Sequence, residues 1–94
     1  MALFKINNIV KITNRGYVLT GIIVEGDFTS GDLIQLHLNG NMIKLKIKSI
    51  EGVRHNSREA VVGLMLGPLE NNIRMLLESM MTQTILITGG HVNL

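Results

Sequence analysis

Four glycines stand at a fixed interval of five, Gly16, Gly21, Gly26 and Gly31, in a run otherwise rich in Val, Ile, Leu and Thr. Glycine supplies no side chain to pack and loses much conformational freedom in an extended segment. Its repetition among β-branched residues therefore predicts bulges, sharp bends or positive-φ turns, as when a sheet curls. The stretch from Gly16 to Asp32 is read as two strands and a tight turn of a small β-barrel. It carries no reactive group, which indicates a binding module without saying what is bound.

On either side the hydrophobic pattern has mostly the period of two that marks half-buried strands. Phe4, Ile6, Val10 and Ile12 alternate with Lys5, Asn7 and Lys11, giving a first strand over about residues 3–13. Thr13 to Gly16 is a turn or bulge. The second strand is apolar on both faces and so is expected to be central. Glu25-Gly26-Asp27 reverses the chain, and a third strand follows with Ile34, Leu36 and Leu38 alternating with Gln35 and His37. Asn39-Gly40 between two alternating runs is the signature of a type I′ hairpin. The fourth strand points Ile43, Leu45 and Ile47 inward and Lys44, Lys46 and Lys48 outward. Residues 52–59 read as an exposed polar loop, and 60–66 as a fifth strand buried on both faces or at a barrel closure. Ile73, Leu76, Leu77, Met80 and Met81 fall on one helical face, predicting an amphipathic helix over about 70–82. Its methionines either cover the barrel or form a pliable docking face. Thr84 to Thr88 is the last strand. The expected fold is mostly β: a single small closed antiparallel barrel of about six strands, with one amphipathic helix near the C-terminus.

Ninety-four residues suffice for one domain with a modest core. Only Phe4, Tyr17 and Phe28 are aromatic, so that core rests on aliphatic residues and methionine. There is no cysteine, hence no disulfide and no thiolate metal site, and the cytoplasm is the expected location. No secretion signal is read at the N-terminus, no apolar run reaches the ~18 residues of a membrane span, and no membrane partner is expected. His37, His55 and His91 are too scattered for a ligand set. Ser30, Ser57, Asp27 and Asp32 read as turn residues rather than catalytic ones. Neither enzymatic activity nor a cofactor or metal is expected.

The glycine run carries a resemblance. Arg15-Gly16-Tyr17-Val18-Leu19-Thr20-Gly21, then Gly26, then Gly31-Asp32 with apolar Ile34 and Leu36, resembles the second domain of elongation factor Tu and related translational GTPases. That family opens its barrel with Gly-Arg-Gly-Thr-Val-Val-Thr-Gly and keeps the same glycine spacing before an acidic residue. Val62-Gly63-Leu64-Met65-Leu66 is similar to its Asn-Val-Gly and following apolar strand, so the likeness spans about residues 4–66. It implies a translation-factor-like barrel that, in the family, packs beside a GTP-binding domain and helps hold aminoacyl-tRNA. No GTP-binding domain is expected in this chain. Gly16 and Gly21 have the spacing of a phosphate-binding loop, but Ile22-Ile23 stand where Lys and Ser or Thr would hold phosphate and magnesium, so no nucleotide is expected. The family's Gly-Arg-Val-Glu-Arg-Gly is Gly21-Ile22-Ile23-Val24-Glu25-Gly26 in this chain, without either arginine. Arg15 does match.

Charge supplies the remaining candidates. Between Lys44 and Arg58, five cations stand against Glu51, +4 in a chain whose net charge is +2, which leaves −2 for the rest. Lys44, Lys46 and Lys48 on one side of a strand, with Arg54, His55 and Arg58 in the adjoining loop, form a face able to follow a phosphate backbone. The plainer reading is a solvated outer face, or lysines protecting an edge strand from aggregation. Arg15 is either a contact inherited with the resemblance or a turn residue whose stem covers the barrel mouth. RNA or a component of the translation machinery is the expected partner. A mean hydropathy of +0.31 makes a protein partner or homo-oligomer, held through an apolar surface, the alternative.

Overall fold

The computed structural model describes residues 1–52 and 61–90. Seven strands and one helix run in the order β1 (Ala2–Ile12), β2 (Gly16–Gly26), β3 (Leu33–Leu38), β4 (Asn41–Lys46), β5 (Ser49–Gly52), β6 (Val62–Gly67), α1 (Asn71–Ser79) and β7 (Thr84–Thr88). They form one sheet in the order β4-β3-β7-β1-β2-β6-β5, and every ladder is antiparallel. The sheet curls around Phe4, Ile6, Leu19, Ile34, Leu36, Ile47, Leu64 and Ile87, all essentially buried.

Three of the four spaced glycines bend the chain and one does something else. Gly16, Gly26 and Gly31 have φ of 101°, 79° and 94°, a region where an L-residue is strained. Gly21 lies within β2 opposite Ile6 of β1, where its bare Cα lets the Phe4 ring and the Lys5 carbonyl approach. Glycine serves this strand as a terminator at both ends and as a gap for Phe4 in the middle. Asn39 and Gly40, at φ 52° and 82°, make the expected two-residue turn between β3 and β4.

Three expectations are corrected. The barrel is not closed: the curled sheet is a half-barrel, because β4 and β5 occupy its two edges and form no ladder with each other. They are consecutive pieces of one strand that runs on without reversing, so they have no geometry in which to pair. Among the described residues the strands number seven rather than about six, since the fourth strand breaks at Ile47 and Lys48 and resumes as β5. The seam is held by hydrogen bonds to opposite parts of the sheet. Ile47 N–H donates to the Asp32 carbonyl at 2.9 Å and Ile47 O accepts from Gly31 N–H at 2.7 Å, whereas Lys48 N–H donates to the Met65 carbonyl at 2.8 Å. The helix, finally, is not near the C-terminus. It is an internal connection from β6 to β7, and β7 then takes a place inside the sheet between β3 and β1.

The helical face forms as its spacing predicts. Ile73 and Leu77 are buried, and Leu76, Met80 and Met81 pack against the core, so the methionines at the helix end cover the half-barrel. Met75 points away and is exposed. The turn after the helix is tied to β1, with Thr82 N–H donating to the Ile6 carbonyl at 2.8 Å and Ile6 N–H to the Gln83 carbonyl at 2.9 Å.

Candidate anion-binding face

Antiparallel register fixes which side chains share the outer face, because residues directly opposite in neighbouring strands project to the same side. Lys44 faces Gln35, Gln35 faces Leu86 and Leu86 faces Leu3, forming one row across β4, β3, β7 and β1. Lys46, Leu33 and Thr88 form the next row. On the other side, Met42 faces His37 and Thr84 faces Lys5. Lys5, Lys44, Lys46 and His37 are all exposed on this quarter of the sheet. Gln35 Nε2 donates to Thr88 Oγ1 at 3.1 Å and holds two of the rows together. Glu25, opposite Leu3, is the acidic residue closest in register. Among the described residues the ion pairs are Arg15–Glu51 and Arg74–Glu78, and none of these lysines joins one.

The face brings Lys44 and Lys46 together and leaves Lys48 elsewhere. Lys48 lies beyond the break in the strand, and its side chain crosses Gly67, where an added Cβ would come 2.5 Å from its Nζ. Gly16 abuts the backbone of the same Gly67, so Lys48 belongs with the β1–β2 turn. Arg15 in that turn is already engaged: its Nη2 stands 2.7 Å from Glu51 Oε2, although the two are 36 positions apart. Arg54, His55 and Arg58 lie outside the described residues.

Lys5 and His37 share the face although neither is a binding candidate in the sequence, where His37 is weighed only as a metal ligand. Lys5 looks there like an ordinary solvent-side residue of a first strand. Only the insertion of β7 between β1 and β3 carries it toward Lys44, and that topology has no local sequence signal.

Between β3 and β7 the face is interrupted. Their ladder runs from Leu33↔Thr88 to Gln35↔Leu86 and stops, although β3 continues to Leu38 and β7 begins at Thr84. The divergence leaves a cleft of about 270 Å³ lined by Gln35, His37, Thr84, Leu86, Leu36, Ile85 and Met80. Leu36 and Ile85 face the core and Gln35, His37, Thr84 and Leu86 face outward, so the cleft passes between the strands from the outer face toward the helix end.

No grouping of His, Asp and Glu among the described residues has the makings of a metal site, and none of their helices is long and apolar enough to cross a membrane. Comparison with protein families, with curated proteins and with solved structures finds no match to the chain.

Proposed function

We propose that this chain is a non-catalytic binding module whose outer β4–β3–β7–β1 face meets RNA or an RNA-bearing component of the translation machinery. The supporting observation is that Lys44 and Lys46 on β4, and Lys5 three strands away on β1, are exposed on the same outer side of the sheet with no carboxylate paired to them among the described residues. The likeness of the glycine pattern to the second domain of translational GTPases points the same way. β4 is also an edge strand, and Lys44 and Lys46 discourage pairing with another chain there. Both roles are compatible, since neither neutralises the charge.

Binding through three phosphate contacts predicts a specific salt dependence. With about 0.7–0.9 counterions released per contact, affinity for tRNA should fall about 20- to 40-fold between ~50 and ~200 mM salt. The variant carrying Lys44→Ala and Lys46→Ala should lose most of that slope. Absence of affinity at low salt, or an unchanged slope in the variant, rules the reading out. The alternative of a protein partner on an apolar surface has less support. Val10, Met42, Ile50 and Met75 are exposed on four different elements, and only Ile23 and Val24 are sequence neighbours among the exposed large apolar residues of the strands.

A further inference from the structure

We propose that the opening between β3 and β7 receives the last residue of an extended peptide, with its apolar side chain in the cleft and its terminal carboxylate at the outer rim. The site goes beyond the RNA-facing role and does not depend on Lys46. Three features select this occupant. The volume, about 270 Å³, lies just below the range usual for small-molecule sites and suits one bulky side chain. Leu36, Ile85, Leu86 and Met80 make the walls and floor apolar, and methionine is the side chain most able to adapt to a guest.

The second feature is the strand itself. β3 keeps β4 as a partner along its whole length but loses β7 after Gln35. Because alternate residues bond to opposite neighbours, Leu36 and Leu38 turn their main chain to β4 and the His37 N–H and C=O face the open side, where an amide satisfies them and a simple fatty acid does not. The third feature is charge. His37 and Thr84 line the mouth, Lys5 stands opposite Thr84, and Lys44 stands opposite the lining residue Gln35, while among the described residues none that lines the cleft is acidic. A carboxylate at the rim meets donors and positive charge, which charge-assisted hydrogen bonds turn into selectivity for a free C-terminus.

The test is fluorescence polarisation at ~0.15 M salt with an N-terminally labelled Ser-Thr-Val-Phe peptide. It is run as the free acid, as the C-terminal amide, and with glycine in place of the final phenylalanine. The proposal expects saturable binding of the acid, with the amide and the glycine-ended peptide each about tenfold weaker or more. The Thr84→Trp variant should lose binding by filling the mouth, with its fold checked by circular dichroism. Gln35→Trp, at a second lining position, keeps the test decisive if Thr84→Trp does not fold. The Lys46→Ala variant should bind the peptide as the parent does while its tRNA binding weakens, which separates this site from the RNA-facing surface. Equal binding of acid and amide, no saturable binding, full binding by a folded mouth-filled variant, or equal competition by free phenylalanine would overturn it.

Discussion

Replacing Gly21 with alanine sets two known effects against each other. Gly21 does not have a left-handed φ, so alanine restricts the unfolded chain without straining the folded backbone, a gain of about 0.4–1 kcal/mol. Against this, the new methyl would press on the Lys5 carbonyl oxygen and come 2.6 and 2.7 Å from two carbons of the Phe4 ring. Neither neighbour retreats easily. The Lys5 carbonyl belongs to β1, which is paired on both sides. Phe4 is 0% exposed, and its ring meets Phe28 edge-on at a centroid distance of 6.0 Å.

Overpacking of this kind costs about 1–3 kcal/mol, and the contact with backbone places Gly21→Ala toward the upper end. The net expectation is a loss of about 2 kcal/mol, or roughly 8–16 °C in Tm for a domain of this size. Urea and thermal unfolding followed by circular dichroism measure it. The cause is isolated by a double-mutant cycle: Phe4→Leu vacates the ring position, so its combination with Gly21→Ala should recover about 1 kcal/mol relative to additivity. Gly40→Ala serves as the control, because Gly40 is at φ 82° with open space around it and its strain should simply add to Phe4→Leu. A Gly21→Ala protein as stable as the parent, or a cycle without coupling, would refute the steric role given to this glycine.

Three further outcomes are expected. Ile47→Ala, at a fully buried side chain on the seam between β4 and β5, should cost about 2–5 kcal/mol; a loss under about 1 kcal/mol in urea unfolding would show that the seam is not part of the core. Asp32 is 8% exposed and accepts from Thr29 N–H at 2.9 Å and Gly90 N–H at 3.3 Å, so Asp32→Ala should cost about 1–3 kcal/mol and speed amide exchange at Gly90, and unchanged exchange there would count against the clasp. Glu51→Gln should change stability by no more than about 1 kcal/mol, because its pair with Arg15 is exposed at 53% and 37%. A larger loss in urea unfolding would show that the pair is not the solvent-screened contact its exposure implies.

Most strands were legible because alternation and turn chemistry agree: Phe4 and Ile6 against Lys5 and Asn7, and Asn39-Gly40 between β3 and β4. The closure of the barrel was not. Inward Ile43, Leu45 and Ile47 and outward Lys44, Lys46 and Lys48 keep a perfect period of two straight through the seam. A period of two records which side a residue faces, and it is blind to which strand pairs with that residue. The chain can thus cross from one edge of the sheet to the other between Ile47 and Lys48 without disturbing its pattern. The short β5 was hidden for a related reason, since Ser49-Ile50-Glu51-Gly52 is too brief and too exposed to stand out beside a polar loop.

The same blindness explains the candidate face. Three lysines at alternate positions look like one row, yet the break sends Lys48 across Gly67 and leaves Lys44 and Lys46 with β3. Lys5, 39 positions before Lys44, shares the outer side instead, three strands away across β3 and β7. Arg15, a candidate contact in the sequence, meets Glu51 across the fold instead. Charge counted along the chain was therefore a poor guide to how those residues group in space. The grouping depends on strand order, in which β3, β7 and β1 bury Ile34, Ile85, Ile87 and Phe4 on the inner side while Lys44 and Lys46 on β4 and Lys5 on β1 face outward.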